Sequence, residues 1–256
     1  MKKLLVVISL LFLSFNANSQ VLITLLLGDK LNSDGLEFGL EGGINWTHIN
    51  NMESNDLARK WNLGFYFDIR LKNQWFLYTG VLVKSNMGLD KLTDYDLNNI
   101  GANIYFHNDG TRIVGDYGQK MNYFLVPALA KYKFKNNMYI ELGPQFGLMY
   151  KSWVQFDVDP KVDAPIDGVD ATFKEYNREK INKIDAGIMI GLGYTLLKGT
   201  GWTLGAKYYY GFVDVYKDIS GTKNSSFFLK LNIPIGRQKA QLKAANEIKD
   251  NSKLIN

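Results

Sequence analysis

The chain of 256 residues contains no cysteine. That excludes disulfide staples and also the modified cysteine of a lipoprotein leader. An exported domain without staples must hold itself by a packed core or by closing its sheet into a barrel. Histidine is almost as scarce. His48 and His107 are the only two in the sequence, both fall in segments read below as loops, and neither belongs to a metal-ligand or nucleophile motif. A loop-top His–Asp pair imitating a surface protease or acyltransferase would have to draw on Asp94, Asp96, Asp109 or Ser85, which share no defined spacing. No catalytic residue, cofactor site or metal ligand is assigned.

Long apolar runs are lacking beyond the first residues, and the mean hydropathy of −0.16 argues against a bundle of membrane-spanning helices. It does not argue against a membrane barrel, in which only alternate residues face lipid. A large excess of one charge is absent too. The formal net charge is +5; removing Lys2 and Lys3 leaves +3, and the segment from Arg237 to Asn256 carries five basic residues against Glu247 and Asp250, which accounts for that +3. The body is neutral by count, so the basic, aromatic-interleaved surface of a nucleic-acid binder has no support.

What is present begins with an export signal. Lys2 and Lys3 form a basic start, Leu4 to Phe15 an apolar stretch, and Ala17-Asn18-Ser19 a small-residue cleavage site, giving a signal peptide over 1–19. Residues 20–35, including the apolar run VLITLLL, are too short to span as a helix and lack clean alternation, and read as a periplasmic lead-in. A β-barrel is expected over 36–236, and 237–256 reads as a polar periplasmic tail, helical or disordered.

The barrel expectation rests on period-two alternation. Between Met121 and Met149, Phe124, Val126, Ala128, Ala130, Tyr132 and Phe134 share one face opposite Lys131 and Lys133. After the turn Lys135-Asn136-Asn137, Ile140, Leu142, Pro144, Phe146 and Leu148 alternate with Glu141, Gly143, Gln145 and Gly147. Each arm has the roughly 9 to 11 residues that a tilted strand needs to cross a bilayer. Six further strands are read at Leu36 to Trp46, Trp61 to Leu71, Gln74 to Lys84 (with faces too mixed to assign), Asn182 to Leu196, Trp202 to Phe212 and Ser225 to Ile235. They are joined alternately by short turns and by long polar loops at Thr47 to Lys60, Ser85 to Gln119, Lys151 to Lys180 and Val213 to Asn224. That asymmetry predicts an eight-stranded antiparallel up-and-down transmembrane β-barrel with short periplasmic turns and long extracellular loops. Trp46, Trp61, Trp75, Tyr150, Trp153, Trp202 and Tyr210 fit interfacial girdles.

The segments YFLVPALAKYKF, YIELGPQFGLM, DAGIMIGLGYTL (Asp185 to Leu196), YYYGF (Tyr208 to Phe212) and SFFLKLNIPIG (Ser226 to Gly236) carry a family likeness. The chain resembles the PorT-like outer-membrane β-barrel proteins of Bacteroidetes-type Gram-negative bacteria. The resemblance implies the barrel, the outer membrane as location, and a role beside protein partners in a secretion or surface-assembly apparatus. It is a pattern of strands and carries no catalytic signature.

The predicted register turns Glu37, Glu41, Asp68, Glu141 and Asp185 inward together with Arg70, Lys131, Lys133, Lys207 and Lys230. Equal numbers of both signs inside a narrow eight-stranded barrel predict a salt-bridged structural plug in preference to a solute path. The acidic loop FDVDPKVDAPIDGVD, with Asp157, Asp159, Asp163, Asp167 and Asp170, lacks the spacing of a calcium loop and reads as a solvated surface segment. The expected function is that of a monomeric structural or interaction protein in the lipid bilayer of the outer membrane. Its rivals are a small-solute porin or transporter and a soluble periplasmic lipocalin-like ligand-binding barrel.

Overall fold

The computed structural model describes residues 35–159, 172–199 and 201–235. The expected signal peptide, most of the lead-in, the tail and the central part of the acidic loop lie outside these residues. The chain runs through β1 (Leu36–Ile49), β2 (Ala58–Lys72), β3 (Trp75–Asp90), α1 (Asp94–Ile100), β4 (Gly115–Lys133), β5 (Met138–Val158), β6 (Thr172–Tyr176), β7 (Ile184–Thr195), the single turn α2 (Leu196–Gly199), β8 (Thr203–Asp214) and β9 (Lys223–Pro234). Each of the eight long strands pairs antiparallel with its neighbours, β9 returns to β1, and β4 pairs with β5, so the eight form a closed ring. Closure removes every sheet edge, which is what a strand structure needs in lipid. β6 stands outside the ring and extends β5 beyond it.

The tight turns form where the sequence supplies asparagine. Asn73 and Asn137 adopt φ of 52° and 66°, the left-handed conformation that asparagine tolerates better than most residues. All three short connections lie at one end of the ring and the long ones at the other.

Alternation decides the two faces. Val126, Leu142, Phe146, Leu148, Ile190, Leu192, Leu204 and Leu229 point outward and are exposed. Their alternates Leu125, Leu129, Tyr139, Glu141, Gln145, Met189, Lys207 and Lys230 are buried in the lumen. Trp75, Phe134, Met138 and Trp202 edge the exposed apolar wall near the short turns, while Trp61, Ile184 and Phe212 edge it near the long loops. A soluble protein does not leave such a continuous apolar belt in water.

The lumen is narrow enough that glycine is required opposite the largest rings. A Cβ at Gly193 would lie 2.4 Å from the Tyr139 hydroxyl, and one at Gly205 2.2 Å from it. A Cβ at Gly39 would meet the Tyr66 ring at 2.5 Å.

Several expected boundaries are corrected. Strand β1 continues to Ile49, so His48 is a strand residue opposite Ser225 and not a loop residue. The expected loop from Ser85 to Gln119 contains the end of β3, α1, a small bridge between Phe106 and Arg112, and the start of β4. The expected loop from Lys151 to Lys180 holds the end of β5 and all of β6. Above the apolar wall a strand's outward residues become polar, so the sequence loses its alternation of hydropathy while the backbone stays extended. The mixed faces of β3 have a local cause: its register shifts between Leu82 and Ser85, which reverses the parity of inward positions.

Candidate functional site

The lumen is the concave feature that the fold builds, and it is layered. Toward the short-turn end three carboxylates meet four ammoniums. Lys131 Nζ lies 2.9 Å from Asp68 Oδ2, Lys133 2.7 Å from the same oxygen, Lys207 2.9 Å from Glu41 and Lys230 2.8 Å from Glu141. All are buried except Lys133, which is a quarter exposed toward the rim. The ring of Tyr78 sits among them, with Lys230, Lys207 and Lys131 at 4.1, 4.6 and 4.9 Å from its centroid. Tyr139 receives Lys131 at 4.2 Å and Lys230 at 5.3 Å. Aromatic faces of this kind stabilise desolvated cations by about 0.5–2 kcal/mol each. Asn232 donates to the Tyr78 hydroxyl at 3.1 Å, and Tyr66 stacks on Tyr78 at 5.8 Å.

Seven of the ten charges predicted to face inward thus come together in one layer. The other three do not. Tyr66 donates to Glu37 at 2.9 Å, nearer the short-turn end. Arg70 is exposed at that rim with its guanidinium 5.7 Å from the Phe76 ring. Asp185 is buried in a separate layer and accepts from Asn224 Nδ2 at 3.0 Å; among the described residues it has no ion-pair partner. Sequence counting treats every inward charge as part of one pool, whereas tilted strands distribute them along the barrel axis.

Above the charged layer, Asn45, Asn62, Ser85 and Gln145 are buried with side-chain atoms that find no partner among the described residues, a lining suited to enclosed water. Higher still the lumen is closed by a polar ring and an apolar cap. Gln119 Nε2 donates to Ser152 Oγ at 2.9 Å, Ser152 donates to Asn177 Oδ1 at 2.6 Å, and Asn177 Nδ2 donates back to Gln119 Oε1 at 2.7 Å. Tyr216 donates to the same Gln119 oxygen at 2.9 Å. Over it, Leu89, Leu92, Leu97, Ile100, Ile181 and Val215 pack into one buried cluster with Ile49. Helix α1 is fixed there by a capping box between Thr93 and Asp96. The Asp96 carboxylate also accepts from the backbone N–H groups of Glu53 and Ser54 at 2.7 and 3.0 Å, tying the 50–57 loop to the helix.

The residues weighed for catalysis are engaged elsewhere. Asp96 serves this cap, Asp94 pairs with Arg112 at 2.5 Å, and Ser85 is buried in the barrel wall. Asp109 accepts from the Thr111 hydroxyl at 2.6 Å and from its N–H at 2.9 Å, which holds its carboxyl below the usual carboxylate range and makes it a poor base. Among the described residues no group of three or more His, Asp or Glu is arranged to hold a metal. Asp157 of the acidic loop is occupied by Gln155 and Thr172.

A closed ring of eight antiparallel strands, an apolar outer wall bounded by aromatics and connections long at one end only define a transmembrane β-barrel of the outer-membrane class. The sequence profile of the outer membrane protein beta-barrel domain matches residues 19–217, and the chain belongs to that family. It is an outer-membrane protein, so the short turns face the periplasm and the long connections the exterior. No curated protein matches the chain. Similar solved structures include the attachment invasion locus protein Ail of Yersinia pestis, at 12% identity and a TM-score of 0.37, covering 78% of this chain and 99% of that one. Neisserial surface protein A is similar at 10% identity and a TM-score of 0.41, covering 79% and 98%. The toluene transporter TodX of Pseudomonas putida is similar at 13% identity and 0.33, covering 73% of this chain and half of its own. Likenesses this distant transfer no activity.

Proposed function

We propose that the protein is a closed membrane platform: its barrel anchors and braces a folded extracellular cap, and the cap engages a protein partner. The observation that carries this reading is the double obstruction of the lumen, by the Asp68–Lys131, Glu41–Lys207 and Glu141–Lys230 layer below and by the α1 cluster above. In this reading the charges brace the wall and conduct nothing. The PorT-like strand pattern favours a partner in a secretion or surface-assembly apparatus, and residues 1–19 act as the export signal.

The test uses photo-crosslinking residues at Tyr95 and Phe106, two exposed aromatics on the cap, in cells expressing the full chain at native level. One discrete protein adduct, together with loss of particular secreted proteins on deletion, supports the platform. Absence of any adduct from both positions, with an unchanged set of secreted proteins, overturns it.

A further inference from the structure

The exterior edge of the apolar wall carries a band of basic side chains that neither the barrel's bracing nor its cap uses. It runs over β2, β3 and β5 and reaches the start of β7. Arg59 on β2 is exposed opposite Trp46, Lys84 on β3 is exposed with its ammonium 4.3 Å from the centroid of the exposed Trp61 ring, and Lys151 on β5 is exposed with its ammonium 5.4 Å from both Trp153 and Tyr176. Lys183, whose carbonyl accepts from the Met149 N–H, continues the band beside β5.

Between them the wall is parted. The β2–β3 ladder ends at Asn62 and Ser85 although both strands continue, and the freed carbonyls of Asn86 and Gly88 are taken by the side chains of Asn45 at 3.0 Å and Thr47 at 2.7 Å. Lys60 reaches across this seam to Asp90 at 3.1 Å, where Lys120 also binds at 2.5 Å. Asp90 is therefore outnumbered by its own partners, and the next acid along this edge, Asp56, is already paired with Lys91 at 3.0 Å. Higher up, Asp116 lies opposite Asp157 and the sign reverses.

We propose that this face, centred on Arg59, Lys84 and Lys151, binds outer-leaflet lipid headgroups whose phosphate leaves them with a net negative charge. The chemistry fits that occupant on three counts. The cations stand at the upper limit of the exposed apolar residues, the depth at which headgroup phosphates lie. Each flanks an indole or phenol ring of the interfacial kind, whose flat face packs against the upper acyl chain. A run of cations beside acids that are already paired attracts anions by about tenfold per two charges or better, and this attraction is screened by salt. The inference is independent of any protein partner of the cap.

The experiment is native mass spectrometry of the full-length protein extracted in neutral detergent and titrated with phosphatidic acid or phosphatidylcholine. Wild type retains phosphatidic acid at least tenfold more strongly than phosphatidylcholine, and the preference falls with added salt. The triple variant R59Q/K84Q/K151Q loses tenfold or more of that affinity. K72Q/K135Q, which removes exposed cations at the periplasmic rim, changes it less than threefold. Heat-dependent gel migration verifies that each variant is folded. Equal retention by wild type and the triple variant, equal loss in the periplasmic-rim variant, or full competition by inorganic phosphate at the lipid's own concentration overturns the proposal.

Discussion

The charged layer can be tested by removing its Glu141–Lys230 pair, first one partner at a time and then both. Lys230 Nζ is 2.8 Å from Glu141, and both side chains are almost fully buried. Removing one partner of a buried pair leaves an uncompensated charge and costs about 3–5 kcal/mol. The remaining ammonium in E141L would still face the rings of Tyr78 and Tyr139, at 4.1 and 5.3 Å, which places the loss near the lower end, about 3 kcal/mol. K230M takes from the Glu141 carboxylate its one ion-pair partner among the described residues and leaves it only the more distant fields of Lys207 and Lys131, so it should cost about 3 kcal/mol as well. The double variant E141L/K230M removes both charges and keeps most of the volume, so it should fall within about 1–2 kcal/mol of wild type. The coupling energy is then at least about 3 kcal/mol in favour of the pair. The assay is urea unfolding of the full chain refolded into phospholipid vesicles, read by tryptophan fluorescence and heat-dependent gel migration. Single variants that each cost under about 1 kcal/mol, or a double variant that costs the sum of the singles, would refute the reasoning that opposite charges brace this layer.

Tyr78 is the ring on which three ammoniums converge, so Y78L should cost several kcal/mol, whereas Y78F keeps the face, loses the Asn232 bond and should cost about 1 kcal/mol in the same unfolding assay. G205V drives a side chain into the Tyr139 hydroxyl and the Lys230 stem; such overpacking costs about 1–3 kcal/mol or more and should lower the fraction that refolds to the compact gel form. T93A removes the Thr93 half of the capping box and should destabilise α1 by about 1 kcal/mol, seen as faster amide exchange at Leu97 and Ile100 with no change in barrel strands.

The strands of the barrel wall were legible because lipid and lumen impose opposite chemistry on alternate residues. Ile140 to Leu148 and Leu229 to Ile233 show this without interruption, and the turn asparagines Asn73 and Asn137 announced their positive φ. Legibility ended where that contrast ends. Ser152, Val154 and Phe156 face inward and Lys151, Trp153 and Gln155 outward, a sequence with no hydropathy alternation, and a bulge at Tyr150 reverses the parity of inward positions as β5 continues into it. The register shift in β3 concealed Tyr78, the central ring of the charged layer, because a single extra residue exchanges the two faces. The charges themselves were legible as inward, but their grouping was not. Asp185 and Asp68 look alike in a strand pattern, and only the stagger of the strands puts one beside Asn224 and the other between two lysines. The cap was invisible for a different reason. Leu92, Leu97 and Ile100 sit in a polar stretch of 24 residues between β3 and β4, where burial is decided by what the barrel mouth offers them.

The most direct test of a closed platform is electrical. Full-length protein, refolded and verified as the compact form, is inserted into a planar bilayer and recorded at single-molecule level in molar potassium chloride. Two obstructed levels predict no stable open state, and T93A, which loosens the cap but leaves the charged layer intact, should stay closed as well. A large, steady, voltage-independent conductance from the wild-type protein would contradict the account.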